Sequence, residues 1–358
     1  MRDLLRFNIL SPELDNLGQF NAYTYAEWTE DYAETGKLYV ECVANGYNSE
    51  ILKPGRYFYR NDIQKAMVIR KIEYDDAGKG IKVRGFSPLD LLSQRVINPS
   101  GSNHTMEITN VEEGIYNVIN TNMRGLENLV TAPLAGRGET FETQFTGANV
   151  LNSIIKLAEE AGFGLTTDID FNMKSVVVRI YTGTDRTYQN PEGNPHIVFT
   201  DNPKNIDNLV ISNDYGNFAN FAYVAGEGEG SARVVEPVPT NPPEGTARHE
   251  IWVDARNVQR NNASLAKYRQ ILYSRGVKEL NARLSTLTFT GDPVTDNSYE
   301  IRRDYELGDM VTCDSRAHGI RFDTRVERVT EIAQYNSTIV KIQLGKPTLQ
   351  RKREADNA

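Results

Sequence analysis

Apolar and polar side chains alternate in short runs between residues 38 and 86, and a period of two predicts strands rather than helices. The runs are LYVECVA at 38–44, LKPGRYFY at 52–59, AMVIRKIEY at 66–74 and IKVRGF at 81–86, with a turn at 75–80. In the last run Ile81 and Val83 alternate with Lys82 and Arg84, as in a strand with one face on a core and the other in water. The expected unit is a hairpin within a small barrel or sandwich.

The period then changes. Ser87 can cap a short helix with Pro88 in its first position and Asp90 in its first turn, putting Leu89, Leu92 and Val96 on one face. The turn-rich NPSGSN at 98–103 marks a domain boundary. Beyond it, Asn110 with Glu113 three residues on reads as a capping-box-like start to a helix striped by Ile115, Val118 and Ile119. A second helix follows Thr146, with Val150, Leu151, Ile154, Ile155 and Ala158 at helical spacing and Gly162 as its stop. The run SVVVRIYTG after it is a strand, so residues 105–205 read as an α/β domain whose helices cover a small sheet.

The run YQNPEGNP at 188–195 is a loop, and IVFT and NLVIS are strands. GEGEG at 226–230 and EPVPTNPPEG at 236–245 combine glycine, proline and acid, which predicts an exposed loop with few fixed contacts. Residues 263–284 form the longest helical pattern, roughly 33 Å at 1.5 Å per residue. Leu265, Tyr268, Leu272, Leu280 and Leu284 are its candidate buried positions, and Gly276 weakens its middle. The other face carries Lys267, Arg269, Arg275, Lys278 and Arg283, a basic stripe of the kind that is usually just solvated. LSTLTFTG, DYELGDMVTC, TRVERVTEI and TIVKIQLG return to strands, the last two joined by a turn at Asn336-Ser337. The whole reads as a β-rich α+β multidomain chain: a β-barrel domain at 1–98, an α/β domain with two helices at 99–204, and a second β-barrel domain at 205–358 carrying the loop at 226–245 and the helical excursion at 263–284.

Composition narrows the class. Tyrosine, at 18, outnumbers phenylalanine and tryptophan together, which suits wide interfaces where the hydroxyl stays wet, and equally suits half-buried strands. A net charge of -8 argues against tight, sequence-independent nucleic-acid binding, though an acidic wall still lets DNA slide past. Cys42 and Cys313 lie far apart and form no CxxC, so they read as reduced, buried thiols. No run of about 18 apolar residues would span a membrane, and the N-terminus lacks a secretory apolar core, so folding in a cytoplasm is expected. The Asn-x-Ser/Thr sites at Asn103, Asn262 and Asn336 then carry no information.

Motifs for chemistry do not survive inspection. HEIWVD at 249–254 starts like a zinc-protease helix, but Val253 stands where the second histidine is needed, and a strand is the better reading. GEGEG is followed by no helix, lysine or serine that would complete a phosphate cradle. His104, His196, His249 and His318 lie in polar stretches without metal-ligand spacing and read as surface residues. Asp168 and Asp170 in TTDIDF would share one side of a strand, as a glycosidase pair might, but 48 acidic residues produce such pairs by chance. No catalytic, cofactor or metal site is assigned, and no enzyme activity is expected.

Several strings in order resemble the siphophage tail-hub, or tail-associated (Tal-like), baseplate protein family. They are LKPGRYFY, the hairpin AMVIRKIEYDDAGKGIKVRG, GFSPLDLLSQRVI at 85–97, YSRGVKELNARL, SYEIRRDYELGDMVTC and GIRFDTRVERVTEI. The resemblance implies two related β-barrels with an α/β domain, and a homotrimer at the virion tail tip, made in the host cytoplasm. It implies contacts to the distal tail protein, the tail tube, the tape-measure protein and tail fibre or spike proteins, with genomic DNA passing through a channel. Many members continue into a lytic domain; this chain stops soon after its last strand, so wall cleavage is not implied. Its basic RKRE near the end is expected to fray in solvent.

One check comes from the residues themselves. After Gly55 and after Gly308 the chain runs glycine, strand, hairpin, and Val68 to Ile81 and Val326 to Ile339 are both 13 residues apart. A duplication would let three chains present six similar barrels, matching a threefold tip to a sixfold tube. Two further readings stand beside the hub: a glycan-binding or glycan-cleaving tail or surface protein using Asp168, Asp170 and tyrosine platforms, and the baseplate hub of a contractile injection system.

Overall fold

The computed structural model describes residues 5–75, 79–98, 105–108, 110–126, 128–139, 141–144, 147–261, 263–284, 286–294, 299–334 and 337–345. Thr146, His104, the RKRE tail, most of NPSGSN and the asparagines of the three Asn-x-Ser/Thr sites lie outside them. Contacts divide the chain into two units, Met1–Leu209 with Thr290–Leu344, and Val210–Phe289 with Gly345–Ala358. Among the described residues no helix is long and apolar enough to cross a membrane.

The first unit opens with β1 (Phe7–Leu10), β2 (Asn16–Phe20), β3 (Tyr23–Asp31), β4 (Lys37–Val43), the short helix α1 (Gly46–Ile51), β5 (Tyr57–Arg60), β6 (Lys65–Asp75) and β7 (Gly80–Phe86). The predicted alternation holds: Ile81 and Val83 are fully buried while Lys82 and Arg84 are exposed. Pro88–Gln94 is a 3-10 helix rather than an α-helix, and the Ser87 side chain makes no capping bond. With three residues per turn, Leu89 and Leu92 stay on one face and are buried, but the helix ends at Gln94 and Arg95 is extended, so Val96 lies beyond it and is 48% exposed, against expectation.

The next segment holds β8 (Thr105–Ile108), α2 (Val111–Asn120), β9 (Leu129–Thr131), β10 (Phe141–Gln144), α3 (Val150–Ala161), β11 (Gly164–Asp170) and β12 (Ser175–Tyr181). Asn110 caps α2 by accepting from the Glu113 N–H, and Asn149, not a residue nearer Thr146, does the same for α3. Gly162 ends α3 in the left-handed region, as its position predicts. Ile115, Val118, Ile119, Val150, Leu151, Ile154 and Ala158 pack with Leu165, Val178 and Ile180 of the β11-β12-β9 sheet, so two helices do cover a small sheet.

The chain then forms β13 (Val198–Thr200), β14 (Ile206–Asp214), β15 (Phe221–Ala225), β16 (Val235–Val238), β17 (Glu250–Asp254), α4 (Leu265–Asn281), β18 (Thr286–Pro293), β19 (Met310–Ser315), β20 (Ile320–Gln334) and β21 (Ser337–Leu344). In the second unit β16, β15 and β17 form a sheet packed on Tyr268 and Leu272 of α4. The expected loose loop is therefore partly a strand: β16 pairs with β15, Val238 is buried, and Gly226 packs on Tyr268. Leu265 and Leu284 are exposed, contrary to their periodicity, because the stripe that meets the sheet is Tyr268, Leu272 and Gly276. Gly276 is a packing requirement rather than a weakness, since a Cβ there would lie 2.7 Å from both Val224 and Val238.

The large sheet runs β14-β18-β21-β20-β3-β4-β7-β6-β5-β1-β2, with β19 on β20 and β13 on β19. Two chains of pairings within it have the same order. β1-β5-β6-β7-β4-β3 is matched, strand for strand in sequence order, by β13-β19-β20-β21-β18-β14. The first pair differs in sense, β1 being antiparallel to β5 and β13 parallel to β19. Among the described residues no pairing closes either set into a ring. The two sets join where β3 pairs with the C-terminal half of β20.

The match reaches individual bonds. Gly55, at φ +86°, donates to the Ile69 carbonyl while the Ile69 N–H returns to Arg56; Gly308, at φ +95°, donates to Val326 while the Val326 N–H returns to Asp309. One extra residue follows at each place, Arg70 before Lys71 and Glu327 before Arg328, as a β-bulge. The equal 13-residue spacing is not what aligns them. Ile81 is buried whereas Ile339 is 49% exposed, and the inward positions corresponding to Ile81 and Val83 are Val340 and Ile342. A side-chain period of two makes such a one-residue slip reverse the face.

Candidate functional site

Where the two strand sets meet, six strands present one broad polar face. Cross-strand registers align Ile339, Ile332, Glu27, Tyr39, Arg84 and Lys71 in one row. The next row reads Ser337, Gln334, Tyr25, Glu41, Lys82 and Glu73, and on the other side Lys341, Thr330, Thr29 and Lys37 align. Sequence reasoning missed this surface, although the repeated Tyr-x-Glu of Tyr25-Ala26-Glu27 and Tyr39-Val40-Glu41 on adjacent strands signals it.

The side chains tie the face together. Tyr25 donates to Glu27 at 2.9 Å and Tyr39 donates to Glu41, with the two rings edge-on at 5.9 Å. Partial burial, then the bond to the carboxylate, pushes each phenol up to about 12, so both stay neutral. Arg84 sits 5.8 Å from the Tyr39 ring centre, Lys71 bonds Glu73 at 2.8 Å, and Thr29 meets Thr330 at 3.1 Å. Cations and carboxylates are interspersed, so the face offers hydration without the single-sign stripe that grips phosphates.

Beneath it the same strands bury Ala26, Trp28, Val40, Cys42, Ile81, Val83 and Ala333. Into this core runs an ion cluster. Arg60, 2% exposed, donates to both oxygens of Glu331 at 2.7 and 3.2 Å and lies 5.4 Å from the centre of Trp28. Glu331 also pairs with Arg302 at 2.8 Å, Arg302 reaches Glu30, and Arg60 reaches Asp62 at 2.5 Å. Burial alone would raise the Glu331 carboxyl, but Arg60 and Arg302 outweigh it and hold it below the usual range. The cluster links β5 of one set with β20 of the other, a linkage hidden in sequence because Arg60 and Glu331 are 271 positions apart.

The residues weighed for chemistry are otherwise engaged. Asp168 bonds Lys65 and Arg179, both at 2.7 Å; burial opposes its ionisation, yet those cations hold it below the usual range. Asp170 accepts from the Asn172 and Met173 N–H groups at the β11–β12 turn. His196 and His249 are exposed beside Tyr188 and Phe218. His318 meets Ser315 at 2.8 Å and Ser315 donates to Asp201 at 2.6 Å, but here the serine bridges the other two, whereas nucleophilic catalysis needs histidine in the middle. Asp201 also accepts from the Arg316 and Ala317 N–H groups, which makes this a turn brace. HEIWVD is strand β17, as read, and Cys42 and Cys313 are free and buried.

A sequence profile for siphovirus ReqiPepy6 Gp37-like proteins matches residues 6–346, nearly the whole chain. The chain belongs to the siphovirus ReqiPepy6 Gp37-like protein family. Solved structures similar to this Gp37-like chain include tail proteins, two of them from prophages. A tail protein from Neisseria meningitidis MC58 shares 14% identity over 97% of each chain, with a TM-score of 0.59. The 43 kDa tail protein of prophage MuSo2 from Shewanella oneidensis shares 10% over 96% of this chain and 98% of its own, at 0.61. Prophage tail protein gp18 from Listeria monocytogenes EGD-e shares 13% over 97% and 95%, at 0.55. At such identities they establish a common fold. Comparison with curated proteins finds no match.

Proposed function

We propose that this Gp37-like chain is a structural tail-hub protein of a siphophage tail tip, three copies of which form a ring. The observation that carries the reading is the matched pairing order of β1-β5-β6-β7-β4-β3 and β13-β19-β20-β21-β18-β14, which gives each chain two similar modules and three chains six. On this reading the modules are the cores of the two barrel domains, 1–98 and 205–358, the second borrowing β13 (Val198–Thr200) from the end of the α/β stretch 99–204 between them.

The in-chain joint supplies a template for the joint between chains. β3 of the first set pairs with β20 of the second, and their counterparts are β14 and β6. Among the described residues neither the outer edge of β14 nor residues 71–75 of β6, on the side away from β7, pairs with another strand. A β14 edge on the β6 edge of the next copy would repeat the β3–β20 joint and close the ring. The polar face would then line the channel, with neutral tyrosines and interspersed charges letting DNA pass without holding it. The family likeness supports partners in the distal tail ring and tube above, the tape measure within, and fibres or spikes below.

Electron microscopy of the assembled tail tip, reconstructed without imposed symmetry, tests this. Threefold density with six similar lobes per ring is expected; a single copy on the tail axis would exclude it.

A further inference from the structure

The β16-β15-β17 sheet of the second unit has two faces, and α4 covers one of them. Val224, Val238 and Val253 point at Tyr268 and Leu272. The opposite face is set by register: Tyr223 stands across from Pro237 on one side and from Trp252 on the other. Three ring-bearing residues thus form a row across the sheet, about 10 Å from end to end at the usual strand spacing. Trp252 is 59% exposed, although a large aromatic normally seeks cover.

The rim of this row is fixed. Arg233 lies 5.6 Å from the Trp252 ring centre, is anchored to the Ala225 and Gly226 carbonyls at 2.9 Å, and bonds Asp254 at 2.7 Å. Arg256 bonds the same carboxylate at 2.5 Å. At the other end Arg248 stacks 3.9 Å from the Phe221 centre, donates to the Tyr223 hydroxyl at 3.1 Å and pairs with Glu250 at 2.5 Å. Each guanidinium at the platform is therefore engaged by a carboxylate, Arg248 by Glu250 and both Arg233 and Arg256 by Asp254, which leaves a single net positive charge.

We infer that this face binds a neutral polysaccharide, with sugar rings lying flat on Trp252 and Tyr223. Flat apolar rings suit the C–H face of a pyranose, and the row is long enough for two linked hexoses. Fixed arginine–carboxylate pairs present donors and acceptors side by side, the complement of vicinal hydroxyls. A rim with one net positive charge, its guanidiniums all engaged, disfavours single-stranded nucleic acid, which would also stack on aromatic rings but needs a groove of free cations along its phosphates. The inference stands apart from the ring proposed above, and neither depends on the other.

Of the two tryptophans, Trp28 is fully buried, so a ligand at the surface reports through Trp252. The full chain is screened on an array of neutral glycans, and the hits are titrated as oligosaccharides by tryptophan fluorescence, with an oligo-thymidylate as the competing class. A saturable change with at least one neutral oligosaccharide is expected, and Trp252→Ala and Tyr223→Ala, followed by calorimetry, should each weaken binding roughly tenfold or more. Trp252→Phe, which keeps a ring, should retain binding within a few-fold, and unchanged melting of all three variants would show that they fold. The inference is overturned by no glycan binding on the array, by binding of the oligo-thymidylate alone, or by sugar affinity that survives Trp252→Ala.

Discussion

Replacing Glu331 by glutamine tests whether the ion cluster clamps the two strand sets together. Glutamine keeps the shape and one acceptor oxygen but removes the charge that balances Arg60 and Arg302, two guanidiniums whose carboxylate contacts lie 2.7 to 3.2 Å away. Arg60 is 2% exposed and retains only Asp62, which is 58% exposed and well hydrated. Breaking a buried pair by removing one partner costs about 3–5 kcal/mol, and the residual Asp62 contact places this case near 3. For a unit of this size that is a fall of roughly 6–12 °C in melting temperature. Urea unfolding followed at Trp28, in a Trp252→Phe background so that one tryptophan reports, should show a lower midpoint at unchanged slope. The double variant Arg60→Met with Glu331→Leu should recover part of the loss, since apolar replacement of the buried Arg60–Glu331 pair is close to neutral while Arg302 falls back on Glu30. A cost below about 0.5 kcal/mol for the single variant, or no recovery in the double, would refute the clamp. The same carboxylate sets a pH dependence. Its proton affinity is lowered in the folded chain, so its contribution is complete above the unfolded glutamate range near 4.3 and is lost as pH falls through the folded value; in Glu331→Gln the acid limb of the stability curve should flatten.

Other outcomes follow from packing. Gly276→Ala raises helix propensity by about 1 kcal/mol yet should destabilise the second unit by about 1–3 kcal/mol, because the new methyl meets Val224 and Val238; hydrogen exchange in α4 and β15 measures it. Asn149→Ala removes the α3 cap and should cost about 1 kcal/mol or more in urea, and Asn149→Asp should recover only part of it, since it keeps the cap oxygen but loses the amide's bonds to the Ser93 and Arg95 carbonyls. Burial pushes the Cys42 thiol up to about 11, so at pH 8 an aromatic disulfide reagent should label it only as fast as its strand opens, at a rate that stops rising with reagent concentration.

Much of the fold is legible locally. Ile81 and Val83 alternate with charges because one side of β7 faces a core; Asn110 and Gly162 mark helix ends through hydrogen bonds made within a few residues. What stays hidden is set by distant partners. Leu265 and Leu284 follow a helical period but find no strand to cover them, while Gly276 looks like a flaw until Val224 and Val238 are seen against it. Arg60, Arg302 and Glu331 look like ordinary surface charges in sequence, and only the pairing of β20 with β3 brings them together. The duplication shows in the sequence as equal spacing, yet the structural correspondence slides by a residue because the β20–β21 hairpin is longer than β6–β7: matched Ile69 and Ile81 are 12 positions apart, Val326 and Val340 14.

The second unit enters and leaves the large sheet through β14 and β18, which are neighbours in it. An insertion between adjacent antiparallel or parallel strands needs only that its two ends approach to about 5 Å, and it asks nothing of the surrounding pairings. That position behaves as a socket: a lineage could exchange the cassette for one with another specificity, or trim it to a tight connection, and leave the scaffold's architecture as it was.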